Sequence, residues 1–156
     1  MNFFTSFNKV LASLEKHRVN YILVGGYAVA LYGIPRATND IDIFLEPKED
    51  NFNNLRNALK EIFNDKSIDE IKLVDKEEYH VTRYGTPEGY SIDILVQLGE
   101  LFNFYNIKYH QIAIEGVKVK IADIDSLIML KENTFRNIDK DDVYYLKELK
   151  KSNAGI

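Results

Sequence analysis

Between Tyr21 and Pro47 the chain reads YILVGGYAVALYGIPRATNDIDIFLEP, and this stretch constrains the fold more than any other. An apolar run, Tyr21 to Val24, breaks at Gly25-Gly26. A short helical segment over 26–32 follows and is stopped by Gly33 and Pro35. Then Asp40-Ile41-Asp42-Ile43-Phe44 alternates strictly, the period of a strand, in which successive side chains point to opposite faces. Asp40 and Asp42 therefore share one face, and Ile41 and Ile43 the other. At a rise of about 3.3 Å per residue, the two carboxylates stand ~6.6 Å apart along the strand, close enough to converge on one divalent cation. Like charges this close are unfavourable unless something positive sits between them. The apolar flanks argue for a central or half-buried strand, where an uncompensated acidic pair is costlier still. A solvated edge strand is the alternative.

The rest of the chain alternates helical and extended signals. Phe3, Phe4, Phe7, Val10, Leu11 and Leu14 recur at helical spacing, predicting an amphipathic helix over residues 3–17. Strands are expected at 21–24 and 40–45. Pro47 suits the first turn of a helix to about residue 64, striped by Phe52, Leu55, Leu59, Ile62 and Phe63. Ile71 to Val74 reads as a short strand. Tyr79 to Tyr84 and Tyr90 to Val96 read as an antiparallel hairpin around the turn cluster Gly85-Thr86-Pro87-Glu88-Gly89. A second hairpin, His110 to Ile114 with Val117 to Ile121, closes through Glu115-Gly116. Asp123 or Asp125 is expected to cap a helix running to about Glu132, and a last helix spans about 139–150. The predicted fold class is α/β (α+β), a mixed sheet flanked by helices in a single domain over residues 1–151, with 152–156 as a flexible tail.

Composition narrows the function by exclusion. No run of eighteen apolar residues exists, so no membrane span is expected, and the N-terminus lacks the basic-then-apolar pattern of a signal peptide. The chain has no cysteine, which removes disulfides and thiolate metal sites and fits a cytoplasmic protein. A net charge of −4 argues against a broad nucleic-acid footprint without excluding a local one.

Three carboxylates draw attention as chemistry. Asp93 lies inside the apolar alternating strand Tyr90 to Val96, repeating the pattern of Asp40 and Asp42. Carboxylates from neighbouring strands are the hard-oxygen setting that suits Mg2+ together with substrate phosphates. The three histidines, at 17, 80 and 110, form no zinc spacing. Gly25-Gly26, between strand and helix, either lets the backbone approach a phosphate at a helix N-terminus or makes a tight turn and nothing more. Arg36 and Thr38 enter the Asp40 strand, where Arg36 either neutralises phosphate or is a surface arginine. Lys131, Arg136 and Lys140 read by default as solvated charge.

Taken together, Gly25-Gly26, a helix, Asp40-x-Asp42 and a third aspartate in a later strand resemble the nucleotidyltransferase superfamily of the DNA polymerase β type. The wording VGGYAVALYGIPRATNDIDIF is most similar to the small bacterial branch of AbiEii/AbiGii kind, from abortive-infection and toxin–antitoxin systems, and small lincosamide nucleotidyltransferases share the layout. The resemblance extends to Ser91–Val96 and to Asp125-Ser126-Leu127, Lys131, Arg136 and Asp141-Asp142-Val143. One departure is Gly26, which stands where many relatives have serine. The resemblance implies transfer of a nucleoside monophosphate from an NTP to a hydroxyl acceptor on a tRNA end, a partner protein or a small molecule. It implies two Mg2+ ions, with Mn2+ as an alternative, held by Asp40, Asp42 and Asp93, which would also be the catalytic residues. Gly25, Gly26, Arg36, Thr38, Lys131 and Arg136 would bind the nucleotide, and a cognate toxin or antitoxin would be a partner. Three other readings remain open: a non-catalytic antitoxin-like interaction module, a lincosamide-like antibiotic nucleotidyltransferase, and a glycosyltransferase using a D-x-D motif.

Overall fold

The computed structural model describes residues 3–74, 79–99, 102–132 and 137–153. Helix α1 (Phe4–Lys16) turns at Arg18, whose φ of 57° lies in the left-handed region, into β1 (Tyr21–Val24). Helix α2 (Gly25–Leu31) follows without a gap and returns through a loop to β2 (Asp40–Leu45) and helix α3 (Glu49–Ile62). Then come β3 (Tyr79–Gly85), β4 (Ser91–Leu98), the two-residue β5 (Phe102–Asn103), β6 (Tyr109–Ile114) and β7 (Val117–Ala122). Helices α4 (Ile124–Glu132) and α5 (Asn137–Asn153) complete the described chain.

The strands form one mixed seven-stranded sheet in the order β3-β4-β2-β1-β7-β6, with β5 beside β4. β1 runs antiparallel to β2 and parallel to β7, while β2 runs parallel to β4. Both predicted hairpins are present. β6 and β7 turn through Glu115 (φ 51°) and Gly116 (φ 80°), two successive left-handed residues of the kind a tight two-residue hairpin demands. The fold class expected from the sequence is the one observed.

Burial explains why β1 and β2 lie in the middle of the sheet. All four residues of β1 are buried, and on β2 Ile41 and Ile43 are buried while Asp40 and Asp42 stay half-buried on the opposite face. An aromatic cluster supports α2: the ring of Tyr27 lies 4.8 Å from Phe4 and 5.0 Å from Phe7, and Phe7 meets Tyr90 at 5.3 Å. Tyr27 donates its hydroxyl to Asn8. Each such ring pair adds about 0.5–1.5 kcal/mol beyond its burial. The cluster thus clamps the short α2 against α1.

Three expectations need correction. Ile71 to Val74 is not a strand. Ile71 N–H closes a 3-10 turn on Ile68 (3.0 Å), and Arg56 Nη1 donates to the Ile71 carbonyl (2.6 Å), so the backbone is satisfied without a strand partner. The apolar alternation there serves packing, since Ile71 is buried. Helix α2 starts at Gly25, one residue earlier than expected. Helix α5 continues through Ser152 and Asn153, and Ser152 Oγ bonds back to the Leu149 carbonyl at 2.8 Å. The capping choice resolves in favour of Asp123, whose Oδ1 accepts from Ser126 N–H at 2.7 Å; Asp125 instead pairs with Lys150. No helix among the described residues is long and apolar enough to cross a membrane.

Candidate active site

The register of the sheet carries Asp40, Asp42 and Asp93 to one place. β1 pairs with β2 so that Val24, the residue before the glycine turn, faces Asp42. β2 pairs with β4 so that Asp42 faces Asp93. Neighbouring strands lie about 4.8 Å apart, and registered residues of a parallel pair share a face, so the two carboxylates are side by side. Asp93 is 8% exposed.

The glycine turn closes over these acids. Gly25 has φ of 76°, a conformation glycine adopts without steric cost. A Cβ built there would lie 2.7 Å from Asp42 Cγ, so only a bare backbone fits against the carboxylate. Gly26 is packed by the two loop residues that the sequence singled out. A Cβ on it would stand 3.2 Å from the Arg36 guanidinium carbon and 3.3 Å from Thr38 Oγ1. Thr38 in turn fixes the start of β2, its hydroxyl bonding to the Asp40 carbonyl (3.0 Å) and accepting from the Asp40 N–H (3.3 Å).

Two features of the electrostatics stand out. Burial, the Asp93 charge, a hydrogen bond with Asp93 and the Asp40 charge together push the Asp42 carboxyl far above the usual carboxylate range, with Lys131 pulling the other way. The second feature is Arg83 on β3, registered opposite Asp93. Its Nε and Nη2 donate to the two oxygens of Asp93 at 2.8 and 3.0 Å, and its guanidinium lies 3.6 Å from Asp40. These bonds raise the Arg83 pKa further still.

Lys131 overturns its default reading as a solvated charge. It is 6% exposed, and its Nζ lies 3.0 Å from Asp142 on α5. Arg36 Nε donates to the same Asp142 oxygen at 3.0 Å. Asp142 is 2% exposed, so two cations from separate elements meet on one buried carboxylate. Lys140 remains exposed, as expected. Arg136 lies outside the described residues. Gly25, Gly26, Arg36, Thr38, Lys131, Asp40, Asp42 and Asp93 are thus linked by contacts around a single site.

Sequence reasoning missed Arg83 and gave Asp142 no role of its own. The Arg83 signal was present: pairing Gly85 with Ser91 across the turn cluster sets Arg83 opposite Asp93. The Asp142 contact spans 106 residues and left no local trace.

Among the described residues, no three His, Cys, Asp or Glu side chains stand arranged as a ready cage for a metal ion. Arg83 engages both oxygens of Asp93. The donors nonetheless fit a hard divalent ion: three carboxylates on adjacent strands, with the charged form of Asp42 disfavoured as they stand. That repulsion is what a dication relieves.

The sequence model of one family, described as nucleotidyl transferase AbiEii toxin of a type IV toxin–antitoxin system, matches residues 9–131. No curated protein matches the chain in sequence. Among solved structures, the fold is similar to that of the lincosamide antibiotic adenylyltransferase LnuA in its lincomycin-bound form. That match has a TM-score of 0.64 and 16% identity over 93% of this chain and 96% of LnuA. A Thermotoga maritima protein described as a nucleotidyltransferase matches with a TM-score of 0.59 and 15% identity, over 99% of this chain and 94% of its own. The antibiotic-resistance factor ANT(2'')-Ia matches at 0.54 and 12% identity, over 97% and 90%.

Proposed function

Because the chain belongs to the AbiEii family of nucleotidyltransferases, we propose that it moves a nucleoside monophosphate from an NTP to an acceptor hydroxyl at Asp40, Asp42 and Asp93. The observation that carries this reading is the register that sets Asp42 beside Asp93 while Gly25 leaves room for nothing but backbone over them. A merely structural pair of acids would not need a left-handed glycine packed onto one of them.

Roles follow from position. Asp40 and Asp42 would hold divalent ions, Mg2+ by the hardness of the donors, and Asp93 would complete the set on the acceptor side. When bound, the ions neutralise charge on the α-phosphate and on the departing pyrophosphate. The acceptor oxygen forms the new bond to the α-phosphorus as the bond to the bridging pyrophosphate oxygen breaks. Asp93 takes the proton of the attacking hydroxyl. Gly25 and Gly26 receive the triphosphate through their backbone, and Arg36 and Lys131 supply positive charge beside it. Thr38 keeps the Arg36 loop and the start of β2 in register.

The family's toxin–antitoxin setting extends here to a cognate antitoxin as partner. The experiment is incubation of the full chain with each labelled NTP, Mg2+ and three acceptor pools: total tRNA, cell protein and small-molecule extract. Transfer to one pool, abolished by Asp42→Ala, is expected. Folded protein that binds NTP and labels no pool would overturn catalysis in favour of a non-catalytic interaction module.

A further inference from the structure

Arg83 belongs to none of the roles just given, yet it makes the closest cationic contacts to the acids. It sits on β3, the edge of the sheet beyond β4, so among the described residues its strand has no neighbour on the outer side. Its fork is used in full: Nε and Nη2 take the two oxygens of Asp93 in parallel, while the same guanidinium reaches Asp40 at 3.6 Å. A bidentate fork of this kind is specific to arginine; an ammonium offers one point charge. One side chain thereby spans two of the three carboxylates assigned to the divalent ions.

Unlike the cations on Asp142, Arg83 is not locked in. Its side chain is 63% exposed, against 11% for Arg36 and 6% for Lys131. It can rotate into water with little change in its own solvation. Asp93, 12% exposed at its side chain, cannot follow it.

We propose that Arg83 is the resident counter-cation of the acid cluster, holding Asp93 with both arms and yielding that carboxylate when a divalent ion loads. This rests on the metal reading above. Arg83 is a positioning residue rather than a catalytic one. It keeps two acids oriented and their repulsion in check until the ion arrives, and it competes with the ion for the same oxygens. By linkage, whatever free energy ties Arg83 to Asp93 is subtracted from metal affinity.

The test uses the full chain, stripped with chelator, and Mn2+ as the probe. Free Mn2+ is followed by electron paramagnetic resonance, and thermal unfolding is recorded with and without the ion. Arg83→Gln is expected to bind Mn2+ about 10-fold tighter than wild type, within the range of about 5 to 150-fold usual for coupled sites. Without metal it should unfold at a lower temperature, and Mn2+ should raise its Tm by more than it raises that of wild type. Arg83→Lys, which keeps charge without the fork, should fall between; it carries the comparison alone if the glutamine variant does not fold. Equal or weaker Mn2+ binding by the variants would sink this inference while leaving the metal site standing. Absence of Mn2+ binding in wild type and variants alike would overturn both.

Discussion

Two charged clusters stand within one site and are built in opposite ways. In the first, three carboxylates on adjacent strands face a single exposed guanidinium, and one of them, Asp42, is driven toward its protonated form. In the second, two cations from distant segments share one buried carboxylate, Asp142. The first is an excess of negative charge left under tension. The second is a surplus of positive charge, desolvated and fixed. On the function proposed above, the difference assigns the ion to one end of the site and the triphosphate to the other. Unrelieved anions call for a cation, and ordered cations call for a phosphate. The polarity needed for nucleotide chemistry is thus present in the protein itself.

The contrast can be broken most severely at Asp42. Asp42→Ala should lower transfer by more than the roughly 10²–10³-fold lost when one oxyanion donor is removed, measured as labelled product at saturating NTP. At the other cluster, Asp142→Ala strands Arg36 and Lys131 beside each other in the interior. Breaking a buried pair from one side costs about 3–5 kcal/mol, so denaturant titration should show a loss of that size, with Asp142→Asn losing less. A global loss below about 1 kcal/mol, typical of surface ion pairs, would show that the cluster is not desolvated as described. Gly25→Ala lies between the clusters. It forces a left-handed alanine at about 1–3 kcal/mol and pushes on Asp42, so activity should fall further than stability. Equal fractional losses would mean that the glycine serves only the fold.

The pH dependence needs no substitution to be seen, and its sign follows from Asp42. Its folded-state pKa is raised from 3.8 to about 8, so in that interval the native state holds more protons than the unfolded one. Stability is therefore greatest near the lower end and is lost as pH rises through the folded value. In chelator, the wild-type Tm should decline from pH 5 to pH 8.5 more than that of Asp42→Asn. Parallel declines would remove Asp42 as the source.

The first cluster was nearly legible in the sequence, because its parts are local. Gly25, Gly26, Arg36, Thr38, Asp40 and Asp42 fall within eighteen consecutive residues, and β1 and β2 need only fold back on each other to register them. Asp93 announced itself by interrupting an apolar alternation. Arg83 was missed although the hairpin register, counted from Gly85 and Ser91, sets it opposite Asp93; an arginine on an edge strand reads as solvated charge. The second cluster was opaque for a different reason. Lys131 sits on a helix, and the helical pattern alone gives no sign that α5 covers it. Ile71 and Leu73 misled in the reverse sense, because two apolar residues at strand spacing satisfy packing as well as pairing.

The bond between Arg36 and Asp142 also sets a schedule. The two residues are 106 positions apart, and a ribosome adding about 5–20 residues per second needs roughly 5 to 20 s to cover that distance. For that interval the nascent chain carries its glycine turn and its acidic strand but not the helix that fixes the arginine. The side of the site that holds Arg36, Lys131 and Asp142 is thus the last part to be assembled. On the function proposed above, a newly made molecule is expected to transfer nothing until α5 docks and Asp142 meets Arg36.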